Sequence, residues 1–129
     1  MDDGSNTIKS FRDLRVWRSA FDLTIQIYKL TSSFPQHETY GLKSQMQRAS
    51  VSVCSNIAEG FGRRSLREKD QFYSMANGSL TELENQIYIA KAVGYFNDKD
   101  TKQLIDMSTT THKMLITLQK VNKTKGESR

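Results

Sequence analysis

The chain has 129 residues, a formal net charge of +5, 36% hydrophobic and 26% charged residues, one cysteine and one proline. That length fits one domain with a single core, and a lone cysteine excludes an internal disulfide framework. No apolar run approaches the ~18 residues that span a bilayer, and the acidic start Met1-Asp2-Asp3 is the opposite of a secretion signal, so a cytoplasmic protein without membrane association is expected.

Residues 1–9 are expected to be a flexible N-terminal segment ahead of a helical bundle over 10–122. The first helix is predicted at about 13–33. Val16, Trp17, Ala20, Phe21, Thr24, Ile27, Tyr28 and Thr31 recur at three- and four-residue steps and are assigned to one face. Phe34-Pro35 ends it, because proline donates no backbone hydrogen bond and restricts the residue before it. Pro35-Gln36-His37-Glu38 reads as a short helical turn, and Gly41 as the bend into the next helix.

The second helix, about 40–62, is the most unusual segment. Between Ser44 and Gly62 only Arg48 and Glu59 are charged. At about 100° per residue, Leu42, Met46, Ala49, Val53, Ile57 and Gly60 form one stripe. Val51, Cys54, Ala58 and Phe61 form a second, displaced by more than a quarter turn. A helix that is apolar all round has to be covered all round. One stripe can face the core of a small bundle; the other predicts a neighbouring copy, with Val51, Cys54, Ala58 and Phe61 as the oligomer interface. Cys54 then reads as a small buried hydrophobe and not as a reactive thiol.

Gly60, Gly62 and Arg63-Arg64 close that helix, and Ser65-Leu66-Arg67-Glu68 has the capping-box pattern that opens another. The third helix is predicted at about 66–93, its inner stripe formed by Phe72, Ala76, Ser79, Leu83, Ile87 and Ala90. Gly78 lies inside it at a cost of about 1 kcal/mol against alanine, which predicts a second helix in close approach. Gly94 is the stop. Asn97 or Asp98 caps a fourth helix at about 98–121, with Leu104, Thr111, Leu118 and Val121 among its apolar rhythm. Residues 123–129 lack apolar anchors and are expected to be a disordered basic tail. Short connections between four long helices predict an all-α, up-down-up-down four-helix bundle.

Several of these pieces carry a family likeness. Phe11-Arg12-Asp13-Leu14-x-Val16-Trp17, Phe34-Pro35-x-x-Glu38-x-Tyr40-Gly41-Leu42-x-x-Gln45, Arg48-Ala49-x-x-Ser52, Asn56-Ile57-Ala58-Glu59-Gly60 and Gly78-Ser79-Leu80-x-Glu82-Leu83-Glu84 occur in order over roughly residues 9–120. Together they resemble the 23S rRNA intervening-sequence proteins. The resemblance implies a left-handed bundle assembled into a ring, most often a pentamer, and a similarity to the basic accessory proteins of diversity-generating retroelements, which bind nucleic acid. The chain departs from the family pattern at Gln47-Arg48, where a pair of arginines is usual, and at Cys54, where proline is common.

Catalytic constellations are hard to find. His37 and His112 have no ligand partner at metal-binding spacing, the Glu-x-x-His pairs of a di-iron bundle are missing, and no Gly-rich phosphate loop occurs. No enzyme activity, cofactor, metal or small-molecule substrate is expected. Gln45, Arg48, Asn56, Glu59, Glu82 and Glu84 are expected to form a structural polar seam, with Glu82 or Glu84 as partner of Arg48, since an unpaired buried charge is strongly destabilising.

Charge points elsewhere. Lys9, Arg12, Arg15 and Arg18 surround the start of the first helix; Arg63, Arg64 and Arg67 the turn after the second; Lys113, Lys120, Lys123 and Lys125 the end of the fourth. Up-down-up-down topology brings those three places to one pole, where clustered cations bind phosphates. The expected partners are RNA or DNA, bound by backbone and shape, alongside further copies of the chain. The alternative is a scaffold ring without nucleic-acid binding, whose lysines only favour solubility and complement helix dipoles.

Overall fold

The computed structural model describes residues 8–127. Four helices run α1 (Arg15–Thr31), α2 (Leu42–Phe61), α3 (Leu66–Ala92) and α4 (Asp98–Glu127), with single 3-10 turns at Phe11–Asp13 and Gln36–Glu38. The described residues contain no strand, so the fold is all-α as the periodicity predicts. Each helix packs on two others, α2 on α1 and α3, α4 on α3 and α1, which closes a four-helix bundle.

Contacts between side chains fix the directions. Gln47 of α2 donates to Thr31 at the end of α1, while Thr24, further back on α1, reaches the Ser50 carbonyl. Ser52 meets Ser79 at 2.8 Å, and Asn77 donates to Gln119. Rising numbers on one helix meet falling numbers on the next, so neighbours are antiparallel.

The core is a column of Leu23, Ile27, Met46, Ile57, Leu80, Leu83, Ile87, Leu104 and Leu115, all fully buried. Each contributes about 1.5–3 kcal/mol by leaving water. On α2 the buried residues are Met46, Ala49, Ser50, Val53, Ile57 and Gly60, which is the first stripe of the sequence with Ser50 added and Leu42, at the helix start, only half-buried. On α1 the single predicted face splits in two. Val16, Ala20, Leu23, Thr24, Ile27 and Thr31 turn inward, while Phe21 and Tyr28 are exposed and Trp17 half-buried. The cause is simple: 17, 21 and 28 follow 16, 20 and 27 by one residue, or about 100°. On α3, Tyr73 and Leu80 take inner places assigned to Phe72 and Ser79, which stand half-buried beside them.

The ends are well specified. The Ser65 hydroxyl accepts from the Glu68 backbone N–H and donates to the Glu68 carboxylate. Glu68 therefore returns to the hydroxyl rather than to the backbone amide a capping box uses. A true capping box stands unpredicted at Ser10 and Asp13, where the Asp13 carboxylate also takes the Lys9 amide; Lys9 is thus tied to the first 3-10 turn. Asn97, not Asp98, caps α4 by accepting from the Asp100 amide at 2.7 Å. Gly94, at φ +89°, reverses the chain after α3. Helix α4 continues to Glu127, beyond the predicted end at Val121. The buried Asn122 anchors this stretch by donating to the Leu66 carbonyl at 3.0 Å. Residues 1–7 and 128–129, including most of the predicted flexible segment and the end of the predicted tail, lie outside the described residues.

Candidate nucleic-acid interface

Three contacts bring the basic clusters to one end of the bundle. The 3-10 turn holding Arg12 packs on α2, and Phe11 shares a shallow pocket with Ala58, Gly62 and Arg63. Lys69, on the first turns of α3, reaches the end of α2, donating to the Phe61 carbonyl at 2.6 Å with the Gly60 carbonyl at 3.4 Å. Asn122 ties the far part of α4 to Leu66 at the start of α3. Arg12, Arg15, Arg64, Arg67, Lys120 and Lys123 are all exposed, and α4 carries Lys125 onward in the same direction. Lys69 adds a cation that belongs to none of the clusters read from the sequence. Partial burial pushes its ammonium below the usual lysine range, and the nearby positive charge of Lys125 pushes the same way.

Three predicted members stand apart. Arg63 is an internal stitch as well as a cation: its guanidinium lies 2.8 Å from the Glu59 carboxylate and 4.4 Å over the Phe72 ring. Lys113 is ten residues before Lys123, about 15 Å along the helix axis, and close to Thr111, whose hydroxyl meets Ser19 in the second turn of α1. It belongs to the bundle's flank. Arg18 is likewise one turn into α1.

The predicted polar seam does not form as one unit. Arg48 is exposed and pairs with neither Glu82 nor Glu84. Glu59 takes Arg63, Glu82 accepts from Gln86, and the half-buried Glu84 accepts from the Ser108 hydroxyl at 2.8 Å. Gln45 is exposed, and Asn56 donates back to Ser52 within α2. Arg48 needs no buried partner because it is solvated, so the premise of the expected pair fails. Four buried side-chain atoms, Arg63 Nε, Asn77 Oδ1, Gln86 Oε1 and His112 Nδ1, have no hydrogen-bond partner among the described residues.

The second stripe of α2 is partly absorbed within the protomer. Cys54 packs against the core, with its Sγ 3.3 Å from the Thr24 hydroxyl, and burial pushes its thiol above the usual range. Ala58 is half-buried beside Phe11, and Phe61 lies under the Lys69 ammonium at 5.5 Å. Only Val51 is left outward, at 41% exposure. More apolar surface is open on α1, where Phe21, Ile25 and Tyr28 are exposed and the Phe21 ring stacks on Trp17 at 5.0 Å. Gly78, predicted to meet another helix, faces open space: a Cβ there would find no atom within 4 Å.

No described helix is long and apolar enough to cross a membrane, and the described residues hold no cluster of His, Cys, Asp and Glu able to bind a metal. What the fold defines is a small antiparallel four-helix bundle with one basic end. The chain belongs to the 23S rRNA-intervening sequence protein family, whose pattern matches residues 12–117. Among solved structures, it resembles a protein of unknown function from the S23 ribosomal protein family of Bacteroides thetaiotaomicron. That likeness has a TM-score of 0.74 and 19% identity, and spans 81% of this chain and 95% of the other; at this identity it speaks for the fold alone. No curated protein matches the chain.

Proposed function

We propose that this protein is a non-enzymatic, self-associating bundle that binds RNA or DNA through its basic pole, with little preference for sequence. The observation that carries the reading is the convergence of Arg12, Arg64, Arg67, Lys120 and Lys123 on one end, through the Lys69–Phe61 and Asn122–Leu66 bonds. None of these five cations is consumed by an ion pair among the described residues. Neutralising several phosphates gives affinity that falls steeply with salt. Base-specific readout requires donors aimed at base edges, and flexible lysines and arginines around a pole do not supply a fixed set.

Self-association has separate support in the exposed apolar surface of Phe21, Ile25, Tyr28 and Val51. A ring of copies, such as the pentamer implied by the family, would multiply the charge of each pole. A salt titration of binding to generic RNA and duplex DNA, run beside light scattering, tests both parts. Salt-sensitive binding by an oligomer is the expected result. Oligomers that bind neither polymer even at low ionic strength leave the scaffold reading in its place.

A further inference from the structure

Between α3 and α4, at the basic pole, runs an open groove of about 630 Å³, within the size range of ligand sites. Its lining combines two chemistries. Leu66 and Ile116 give it apolar surface, while Arg67, Lys120 and Lys123 line the same groove as exposed cations. Ile116 is 38% exposed, so its side chain is open to an occupant. The walls are braced. Asn122 joins α4 to the Leu66 carbonyl, and the Gln119 amide bonds Asp70 and Ser74 across the helix pair while its carbonyl accepts from Asn77. Asp70, the one acid in the lining, is thereby engaged.

An occupant that satisfies this groove has an anionic edge and an apolar face within one unit. A duplex presents phosphates but keeps its base faces stacked inside, and would leave Leu66 and Ile116 uncovered. An unpaired strand offers both at each nucleotide. Resting on the nucleic-acid reading above, we propose that the α3–α4 groove seats unpaired nucleotides, with bases against Leu66 and Ile116 and phosphates on Arg67, Lys120 and Lys123, so that the protein prefers single strands to duplexes. Charge alone predicts the reverse, because a duplex releases more counterions per phosphate neutralised. The order of affinities is therefore diagnostic.

The test is fluorescence anisotropy with a labelled mixed-sequence strand and the same strand annealed to its complement, at one fixed ionic strength. The single strand is expected to bind about five- to tenfold tighter, less than aromatic stacking would give. Ile116→Ser, with Ile116→Gln as a second variant and circular dichroism to verify helicity, is expected to weaken single-strand binding more than duplex binding and so bring the two affinities together. Lys120→Ala should weaken both and reduce the salt slope by about one. Equal affinities in the wild type, or a preference untouched by both Ile116 variants, overturn the proposal while leaving the basic pole intact as a binding site. A polyglutamate peptide of matched charge that binds more tightly than the single strand overturns it in favour of an acidic protein segment. Binding of neither strand nor duplex removes the proposed function itself, a distinct result.

Discussion

Gly60, near the end of α2, lies directly against the ring of Tyr73 on α3. A Cβ added at Gly60 would stand 2.6 Å from Tyr73 Cε1 and 3.1 Å from the Cβ of Phe72. Tyr73 is buried in the core and has no room to swing away, so the hydrogen at position 60 sets how closely these helices approach. Gly60→Ala is expected to destabilise the protein by about 1–3 kcal/mol, as overpacking does, read as a lower urea midpoint with an unchanged slope. Gly78→Ala is the control. It meets open space in the protomer and should gain about 0.5–1 kcal/mol from helix propensity. A loss at Gly78 instead would reveal a neighbouring copy seated on that face of α3.

At the opposite pole the Glu38 carboxylate holds two connections together. It accepts from the Leu42 amide at the start of α2 and from the Tyr95 hydroxyl, at 2.9 and 2.7 Å. Those bonds, the Leu42 amide first and Tyr95 next, hold Glu38 below the usual carboxylate range. The Tyr95 hydroxyl is raised by the same bond. A carboxyl whose folded pKa is depressed adds stability that is present above its unfolded value, about 4.3, and is lost as pH falls through the folded value. Stability should therefore drop as pH falls below about 4.3. Glu38→Gln should flatten that part of the pH profile and Tyr95→Phe should shrink it, measured as denaturation midpoints against pH. A Glu38→Gln profile as steep as that of the wild type would assign the acid sensitivity to other carboxylates.

Self-association is expected to run through the exposed apolar residues of α1 and Val51. Phe21→Asp and Val51→Asp should each shift the protein toward its 14.8 kDa protomer in light scattering, with helicity retained, because neither side chain is in the buried core. Cys54→Ser is the counterpart: its thiol packs beside Thr24, so the assembly should be little changed. Cys54 should also react slowly with a thiol reagent until denaturant is added. The thiolate is the reactive form, and burial holds Cys54 in the thiol form while limiting access to it.

The helices, their order and the core stripe of α2 are legible in the sequence because a 3.6-residue period is strong over twenty residues. The same rule misreads α1, where two stripes one residue apart merge into one face and hide the exposed Phe21 and Tyr28. Arg48 and Gly78 mislead for a different reason. Their neighbours along the chain suggest burial, whereas burial is decided by which helix stands opposite. At the basic pole, topology alone brings the clusters together. Lys69 is illegible because its partners are backbone carbonyls, which leave no mark in a sequence.

Adjacent arginines at the turn after α2 separate fold from charge. Arg63 spans Glu59 and the face of Phe72, while Arg64 is exposed and makes no such contact among the described residues. The Glu59 pair is largely solvated and adds little on its own; with the cation–π contact, the loss on Arg63→Ala should be about 1 kcal/mol. Arg63→Lys should recover only part of it, because an ammonium cannot both lie flat on the ring and grip the carboxylate. Arg64→Ala should leave the denaturation midpoint where it was and lower the salt dependence of nucleic-acid binding by about one phosphate contact. Urea denaturation and salt titration on the same pair of variants read the two roles independently. If Arg64→Ala alters stability but not the salt slope, this turn is part of the fold and the phosphates are held elsewhere on the pole.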